Sequence, residues 1–207
     1  AAITCTNGKT TSAYLLRAIF KAAGSCPGMI GTVEYDLGDG CPLPADRTTP
    51  TPFQLQELFA RLRQTAAEPV ILEASSHALA QKRLGTARCQ GAIFTNLTRD
   101  HLDYHHDFES YYQAKKKLFS KMDYSKRVII NIDDDFGLRL SKELVNPVTT
   151  VSMHNPEATV YIHSVDLTID RTYFSLNYNN EIYEFETNFV SEYNLMNLVQ
   201  SMMACVN

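Results

Sequence analysis

The sequence has no surplus of positive charge: 19 lysines and arginines stand against 23 acidic residues, for a formal charge of −4. A nucleic-acid partner ordinarily demands a basic excess, so that class is set aside. No apolar run approaches the roughly 18 residues of a membrane span, and no charged-then-apolar leader is read at the start. A cytoplasmic setting without membrane insertion is expected. Cysteine is sparse and scattered: Cys5, Cys26, Cys41, Cys89 and Cys205 form no metal spacing, and their odd number suits no disulfide framework. A reducing compartment follows. Repeats and low-complexity linkers are missing too. What remains is an ordinary globular composition, 44% hydrophobic and 20% charged over 207 residues, the size of one α/β domain. The chain opens Ala1-Ala2-Ile3 without methionine and stops at Val206-Asn207 within a helical pattern, so a piece of a longer protein is expected.

Strand and helix signals alternate over the first 150 or so residues. Apolar positions 15, 16, 19, 22 and 23 form a helical stripe that Gly24 is placed to stop. Thr51, Pro52 and Gln54 spell a capping box with proline at the first helical position, followed by Leu55, Leu58, Phe59 and Leu62 at helical spacing. Val70–Leu72, Ala92–Phe94 and Val128–Ile130 are short continuous apolar runs, as in strands covered on both faces. The alternation predicts a doubly wound, mostly parallel α/β sheet; the loop at residues 3–11 adds the expectation of the phosphate-loop, mononucleotide-binding kind. Beyond residue 150, Val160, Ile162, Phe174, Leu176, Tyr178, Ile182, Tyr183 and Phe185 alternate with polar residues around Asn179-Asn180. That is hairpin chemistry and predicts a small antiparallel β-subsheet in the C-terminal third. Leu195, Leu198, Val199, Met202 and Val206 return to helical spacing.

Ile3 to Thr11 (Ile-Thr-Cys-Thr-Asn-Gly-Lys-Thr-Thr) leads from an apolar opening into a helix. Gly8 lets the backbone fold around phosphate oxygens, Lys9 supplies a point charge, Thr10 offers a hydroxyl to Mg²⁺, and the helix start presents free N–H groups. The pattern is not a full Walker motif, because Ile3 stands at its first glycine.

Glu73 directly follows one apolar run and so sits at the carboxyl end of a strand, where open α/β sheets bind ligands. Arg99-Asp100-His101-Leu102-Asp103 follows another run closely. Glu73 and His101 near a phosphate loop are candidate Mg²⁺ ligands; a helix cap or surface ion pair for Glu73 and a satisfied loop histidine for His101 are the plainer alternatives. Between 108 and 122, Phe108, Tyr111, Tyr112, Leu118, Phe119 and Met122 share a helical face, and Lys115 falls on it while Lys116 and Lys117 point away. Such a lysine snorkels, pairs with an anion, or is carbamylated into a carboxylate-like metal ligand. Snorkelling is the common outcome.

Taken together, these segments resemble the Mur ligase family of ATP-dependent amide-forming enzymes, and within it the group that makes the UDP-N-acetylmuramoyl tripeptide. Cys5-Thr6-Asn7-Gly8-Lys9-Thr10 is similar to the family's G-T-N-G-K-T, and Glu73-Ala74-Ser75-Ser76-His77-Ala78-Leu79 with Gln81 and Arg83 is similar to its E-x-S-S-H-x-L…Q-x-R block. Thr95 through His105, Ala114-Lys115 with Leu118-Phe119, Asn131-Ile132-Asp133-Asp134 and Tyr193-Asn194-Leu195-Met196-Asn197 follow in family order. The resemblance implies that Thr6, Asn7, Gly8, Lys9, Thr10 and Thr11 hold the ATP phosphates, with Asn96 near the γ-phosphate. Asn131, Asp133, Asn194 and Asn197 lie on the adenine side. Thr10 and Glu73 would hold one Mg²⁺, and His101 with a carbamylated Lys115 a second. Lys9, Glu73, His101 and Lys115 then form the catalytic set. Thr48, Thr49, Ser75, Gln81 and Arg83 would meet the acyl substrate, UDP-N-acetylmuramoyl-L-alanyl-D-glutamate. The implied reaction forms an acyl phosphate and then an amide with meso-diaminopimelate or L-lysine, for peptidoglycan precursors.

Residues 1–207 then correspond to the family's central domain, without its uridine-nucleotide and amino-acid-selecting domains; a monomer, inactive by itself, is expected. Cys5 replaces the family's first loop glycine, expected to weaken ATP binding or expose an oxidisable thiol. Ser191-Glu192 replaces the glycine before the aromatic-Asn motif. Two other readings stay open. One is a folylpolyglutamate or cyanophycin synthetase-like ligase, against which Ser75-Ser76-His77 with Gln81 and Arg83 weighs; the other is a non-catalytic nucleotide-binding module.

Overall fold

Side chains alternate between the two faces of a strand, and here both faces of the central strands are apolar. The sheet must therefore be covered on both sides. A computed structural model, describing residues 1–123 and 125–206, has that form. The chain begins β1 (Ala2–Thr4), α1 (Lys9–Ala22), β2 (Gly28–Ile30), β3 (Glu34–Asp36), β4 (Leu43–Pro44), α2 (Pro52–Gln64) and β5 (Val70–Glu73). It continues with α3 (Ser76–Ala80), β6 (Ala92–Phe94), α4 (Leu102–His105), α5 (Phe108–Lys116), β7 (Val128–Asn131) and α6 (Asp135–Glu143). The last third holds β8 (Val148–Ser152), β9 (Val160–Leu167), β10 (Thr172–Tyr178), β11 (Glu181–Thr187) and α7 (Glu192–Cys205).

The strands form one mixed sheet in the order β11-β10-β9-β8-β7-β6-β1-β5-β2-β3-β4. Its centre is parallel: Ala2 pairs with Leu72 and Ala92, and Ala92 with Val128. Ile3, Ile71, Ile93 and Ile129 face α1 and α7, packing with Leu16, Leu195 and Val199. Ala2, Leu72, Phe94 and Ile130 face the opposite layer, with Leu55 and Leu58 of α2, Tyr111 and Tyr112 of α5, and Leu140 of α6. After β1 the chain fills β2 and β5 on one side, then β6, β7 and β8 on the other, which makes β1 the switch point of the sheet.

Local signals place several boundaries. The Thr51 hydroxyl and the Gln54 side chain close the capping box that starts α2. Asn179 and Asn180 both take left-handed conformations, φ 55° and 63°, and turn β10 into β11. The expected antiparallel subsheet is present but not detached. Val151 of β8 pairs with Val160 of β9 in parallel, so β9 to β11 extend the main sheet. A second antiparallel arm, β2 to β4, had no counterpart in the sequence reading. The helix read over 108–122 is shorter: α5 ends at Lys116 and a 3₁₀ turn, Phe119–Lys121, follows. Leu118, Phe119 and Met122 nevertheless stay buried, because the tighter i→i+3 bonds keep them turned inward. Helix α7 ends at Cys205, with Val206 extended. Among the described residues no helix is long and apolar enough to cross a membrane.

Gly137, in the first turn of α6, packs against the strand beside it, where a Cβ would lie 2.0 Å from the Asn131 carbonyl oxygen. Gly91 has open space, its nearest neighbour being the Arg127 carbonyl oxygen at 4.0 Å. Gly137→Ala is expected to cost about 1–3 kcal/mol in urea unfolding, against under about 1 kcal/mol for Gly91→Ala. Equal losses would contradict the packing argument.

Candidate active site

The segment between β1 and α1 emerges at the carboxyl end of the switch-point strand. Gly8 takes φ +96°, and a Cβ there would lie 2.6 Å from Oδ1 of Asn197, so glycine lets the loop lie directly against α7. No side chain caps α1, which leaves the N–H groups of its first turn free to meet an anion. The loop is pinned from β6: the Asn7 N–H donates to Asn96 Oδ1 at 2.9 Å, while the Asn96 amide and Thr95 hydroxyl donate to the Asn7 carbonyl, each at 2.9 Å. Thr6 Oγ1 meets Tyr111 Oη at 3.1 Å and accepts from the Thr98 N–H at 3.0 Å. Lys9 folds back over the loop, Nζ donating to the carbonyls of Cys5 at 2.9 Å and Thr6 at 3.0 Å.

Beside this loop lies a cleft of about 610 Å³. Asn7, Gly8, Thr11 and Asn96 line one side; Asn131, Asp133, Asn194 and Asn197 line the other. The Asn131 amide donates to the Thr95 carbonyl at 2.9 Å, and the Asp133 carboxylate accepts from Ser152 Oγ and the Met153 N–H. Of the phosphate-side residues singled out from the sequence, Asn7, Gly8, Thr11 and Asn96 share this space with the adenine-side set, whereas Thr6, Lys9 and Thr10 do not line it.

Glu73 ends β5 with no measurable exposure. Its Oε2 accepts from the hydroxyls of Thr10 and Thr32, both at 2.9 Å, and its Oε1 from the Thr32 N–H at 3.1 Å. No lysine, arginine or histidine pairs with it among the described residues. A buried carboxylate without a counter-charge is costly, and these hard oxygen donors suit Mg²⁺. The surface ion pair considered for Glu73 is excluded by its burial.

Lys115 presents the converse. It is 1% exposed, its Nζ donates to the Cys5 carbonyl at 2.6 Å and lies 4.4 Å from the Tyr111 ring centre. It does not snorkel; the loop blocks its way out. Burial, and then the charge of Lys9, lowers its pKa to about 7. Lys116 pairs instead with Glu143 at 2.8 Å.

His101 takes φ 51°, with Nε2 3.3 Å from Asp100. The structure does not bring it into one cluster with Glu73: among the described residues no three His, Cys, Asp or Glu side chains converge as a metal site. His101 belongs instead to an aromatic group, edge-on to His77 at 4.9 Å and to Tyr111 at 6.2 Å between ring centres. In the same group His105 is buried, and burial, then His77, push its pKa down to about 4.

The residues read as acyl-binding adjoin Glu73. The Thr49 hydroxyl donates to the Glu73 carbonyl at 2.7 Å, and Ser75 caps α3 through the Ala78 N–H at 3.2 Å. Arg83 is engaged on three sides, with Nε and Nη2 on Gln81 Oε1 at 2.9 and 2.7 Å and Nη1 on the Thr49 carbonyl at 2.8 Å. Thr48 reaches Thr32 Oγ1 at 3.0 Å.

Residues 3–205 match the family model described as the Mur ligase middle domain. The chain belongs to the Mur ligase family. It is 38% identical to the UDP-N-acetylmuramoyl-L-alanyl-D-glutamate--2,6-diaminopimelate ligase of Geobacter metallireducens over 99% of this chain and 41% of that protein. It is also 38% identical to ligase 1 of that name from Clostridium acetobutylicum, over 99% of this chain and 42% of that one. A solved structure of a UDP-N-acetylmuramoyl-L-alanyl-D-glutamate--2,6-diaminopimelate ligase superposes with TM-score 0.83 at 30% identity, covering 98% of this chain and 42% of its own. MurF from Thermotoga maritima, solved with ADP, shares the fold at TM-score 0.70 and 14% identity, covering 98% and 43%. The chain thus spans about two fifths of these relatives' length.

Both departures from the Mur ligase motifs find a physical account. Cys5 keeps an ordinary, not left-handed, backbone, and its side chain packs among Ile3, Ala13 and Leu16 with no exposure. The expected exposed thiol is therefore not found: the group is buried, and burial raises its pKa. Ser191 is extended and its Oγ accepts from the Asn194 N–H at 3.3 Å, so a capping serine starts the helix where the Mur ligase pattern has glycine. The residue that sequence reading missed is Thr32, whose grip on Glu73 depends on a contact 41 positions away.

The buried lysine has a pH signature. Below about pH 7 both folded and unfolded chains hold the Lys115 proton; between about 7 and its ordinary 10.5 only the unfolded chain does. Stability should rise with pH across that window as the burial cost is relieved. In CO2-free buffer, Lys115→Met should be more stable than the wild type near pH 6, with the gap closing toward pH 10; a pH-independent difference in urea unfolding would refute the buried ammonium.

Proposed function

We propose that this chain is the ATP-binding domain of a cytoplasmic ligase that joins a diamino acid to UDP-N-acetylmuramoyl-L-alanyl-D-glutamate. The observation that carries this reading is the phosphate loop lying between a buried carboxylate and a buried lysine, in a chain 38% identical to relatives so named. Those names favour diaminopimelate over L-lysine. In the reaction the substrate carboxylate attacks the γ-phosphorus, ADP leaves, and the amine displaces phosphate from the acyl phosphate, releasing a proton.

Lys9 has a ready alternative to its two carbonyl partners, because a phosphate oxygen offers a stronger, charge-assisted bond. The free N–H groups at the start of α1 add to it, and Asn194 and Asn197 orient the base in the cleft. Thr10 and Glu73 are the residues to hold a Mg²⁺ ion, which when bound supplies charge neutralisation on the transferring phosphoryl group. A pKa near 7 leaves much of Lys115 as a neutral amine, whose nitrogen can add to CO2 with loss of a proton to give a carbamate. His101 and carbamylated Lys115 would then hold a second Mg²⁺, which requires His101 to leave Asp100.

The intact protein, given ATP and Mg²⁺, is expected to form ADP only when both the UDP-muramoyl dipeptide and a diamino acid are present. Lys115→Ala should lose at least about 100-fold in rate, with short carboxylic acids restoring part of it. Nucleotide binding without turnover would instead mark a non-catalytic module, and a carbamate-free lysine in native mass spectra alongside failed rescue would sink the carbamate.

A further inference from the structure

Thr32 lies just beyond β2 on an exposed turn, yet its polar groups converge inward on one carboxylate. Its N–H takes Glu73 Oε1 and its hydroxyl takes Oε2, so a single residue grips both oxygens. A hydroxyl has one proton. Thr32 gives its own to Glu73, so in the 3.0 Å contact between Thr32 and Thr48 the donor is Thr48. Thr10 likewise donates its proton to Oε2. Its remaining lone pairs are then free for a cation, as are those that Glu73 does not use on its three donors. Gly31 lets Thr32 come so near, since a Cβ on it would lie 2.3 Å from Oε1.

Thr10 alone would fix one oxygen and leave the carboxyl group to rotate. Two contacts from Thr32 set its plane. We propose that Thr32 is the positioning residue of this site, fixing the Glu73 carboxylate so that a nucleotide-bound divalent cation meets Glu73 and Thr10 oxygens together. The proposal rests on the reading of Glu73 and Thr10 as cation ligands. Thr32 acts through Glu73 and is not among the residues that line the cleft. Because Thr32 is exposed and outside both apolar clusters, replacing its side chain removes the hydroxyl contact to Oε2, leaves the N–H on Oε1, and does not open the core.

Mn²⁺ titrated into the intact protein with a non-hydrolysable ATP analogue, and followed by electron paramagnetic resonance, reads the cation directly. Thr32→Val, which loses the hydroxyl contact to Oε2 and keeps the N–H on Oε1, should weaken Mn²⁺ about ten-fold while leaving metal-free binding of the analogue unchanged. Thr32→Ser, which keeps both donors, should restore the wild-type affinity. Thr32→Ala tests the same loss should the valine variant not fold. Wild-type Mn²⁺ affinity in Thr32→Val would overturn the proposal alone, as would an equal weakening of the metal-free analogue, which marks a merely structural role. Failure of the wild type to bind Mn²⁺ with the analogue would overturn the proposal together with the nucleotide reading beneath it.

Discussion

Two buried charges of opposite sign that are kept from meeting organise this molecule. Glu73 and Lys115 are each nearly inaccessible, and each bonds to the β1–α1 segment at a different point, Glu73 to Thr10 in the first turn of α1 and Lys115 to the Cys5 carbonyl of the loop. Paired with one another they would be a closed ion pair of little chemical use. Held apart, each leaves an unmet electrostatic demand beside the place where a polyanion and its cations would sit. The fold bears that cost with a well-packed apolar core on both faces of the sheet.

Strand parity delivers the arrangement. Glu73 pairs in register with Ile3, whose side chain belongs to the layer of α1 and α7, so the carboxylate lies where Thr10 in the first turn of α1 can reach it. Lys115 comes from α5, in the opposite layer, and reaches the loop from beneath. Each layer contributes one charge and the sheet separates them. A one-residue slip of β5 would move Glu73 to the wrong face, which makes the short parallel strands part of the chemistry as well as the scaffold.

Much of this was legible in the residues because the signals are local. Three apolar runs, a capping box, an Asn-Asn turn and a glycine before a lysine each carry their meaning within a few positions. Lys115 was legible as an anomaly, a charge on an apolar stripe, although its answer was not: the common snorkelling route is closed by a loop 110 positions away in sequence. Strands β2 to β4 are only two or three residues long, too short to show a period. The same distance effect hid Thr32, and it hid the tolerance of the loop for Cys5, which depends on a pocket formed by α1 and the sheet. Arg83 was read as meeting the acyl substrate, yet each of its three guanidinium nitrogens already donates to Gln81 or Thr49, and no spacing rule reveals that.

The contact between Gly8 and Asn197 joins the first loop to the final helix across almost the entire sequence. Such a contact closes a very long chain loop, whose entropic cost is offset only by the packing of the strands and helices between. On the ribosome, the nucleotide cleft would stay unwalled on one side until α7 had emerged and docked. A chain interrupted before that helix would keep the β1–α1 loop with no opposite wall, so the cleft itself registers the docking of α7.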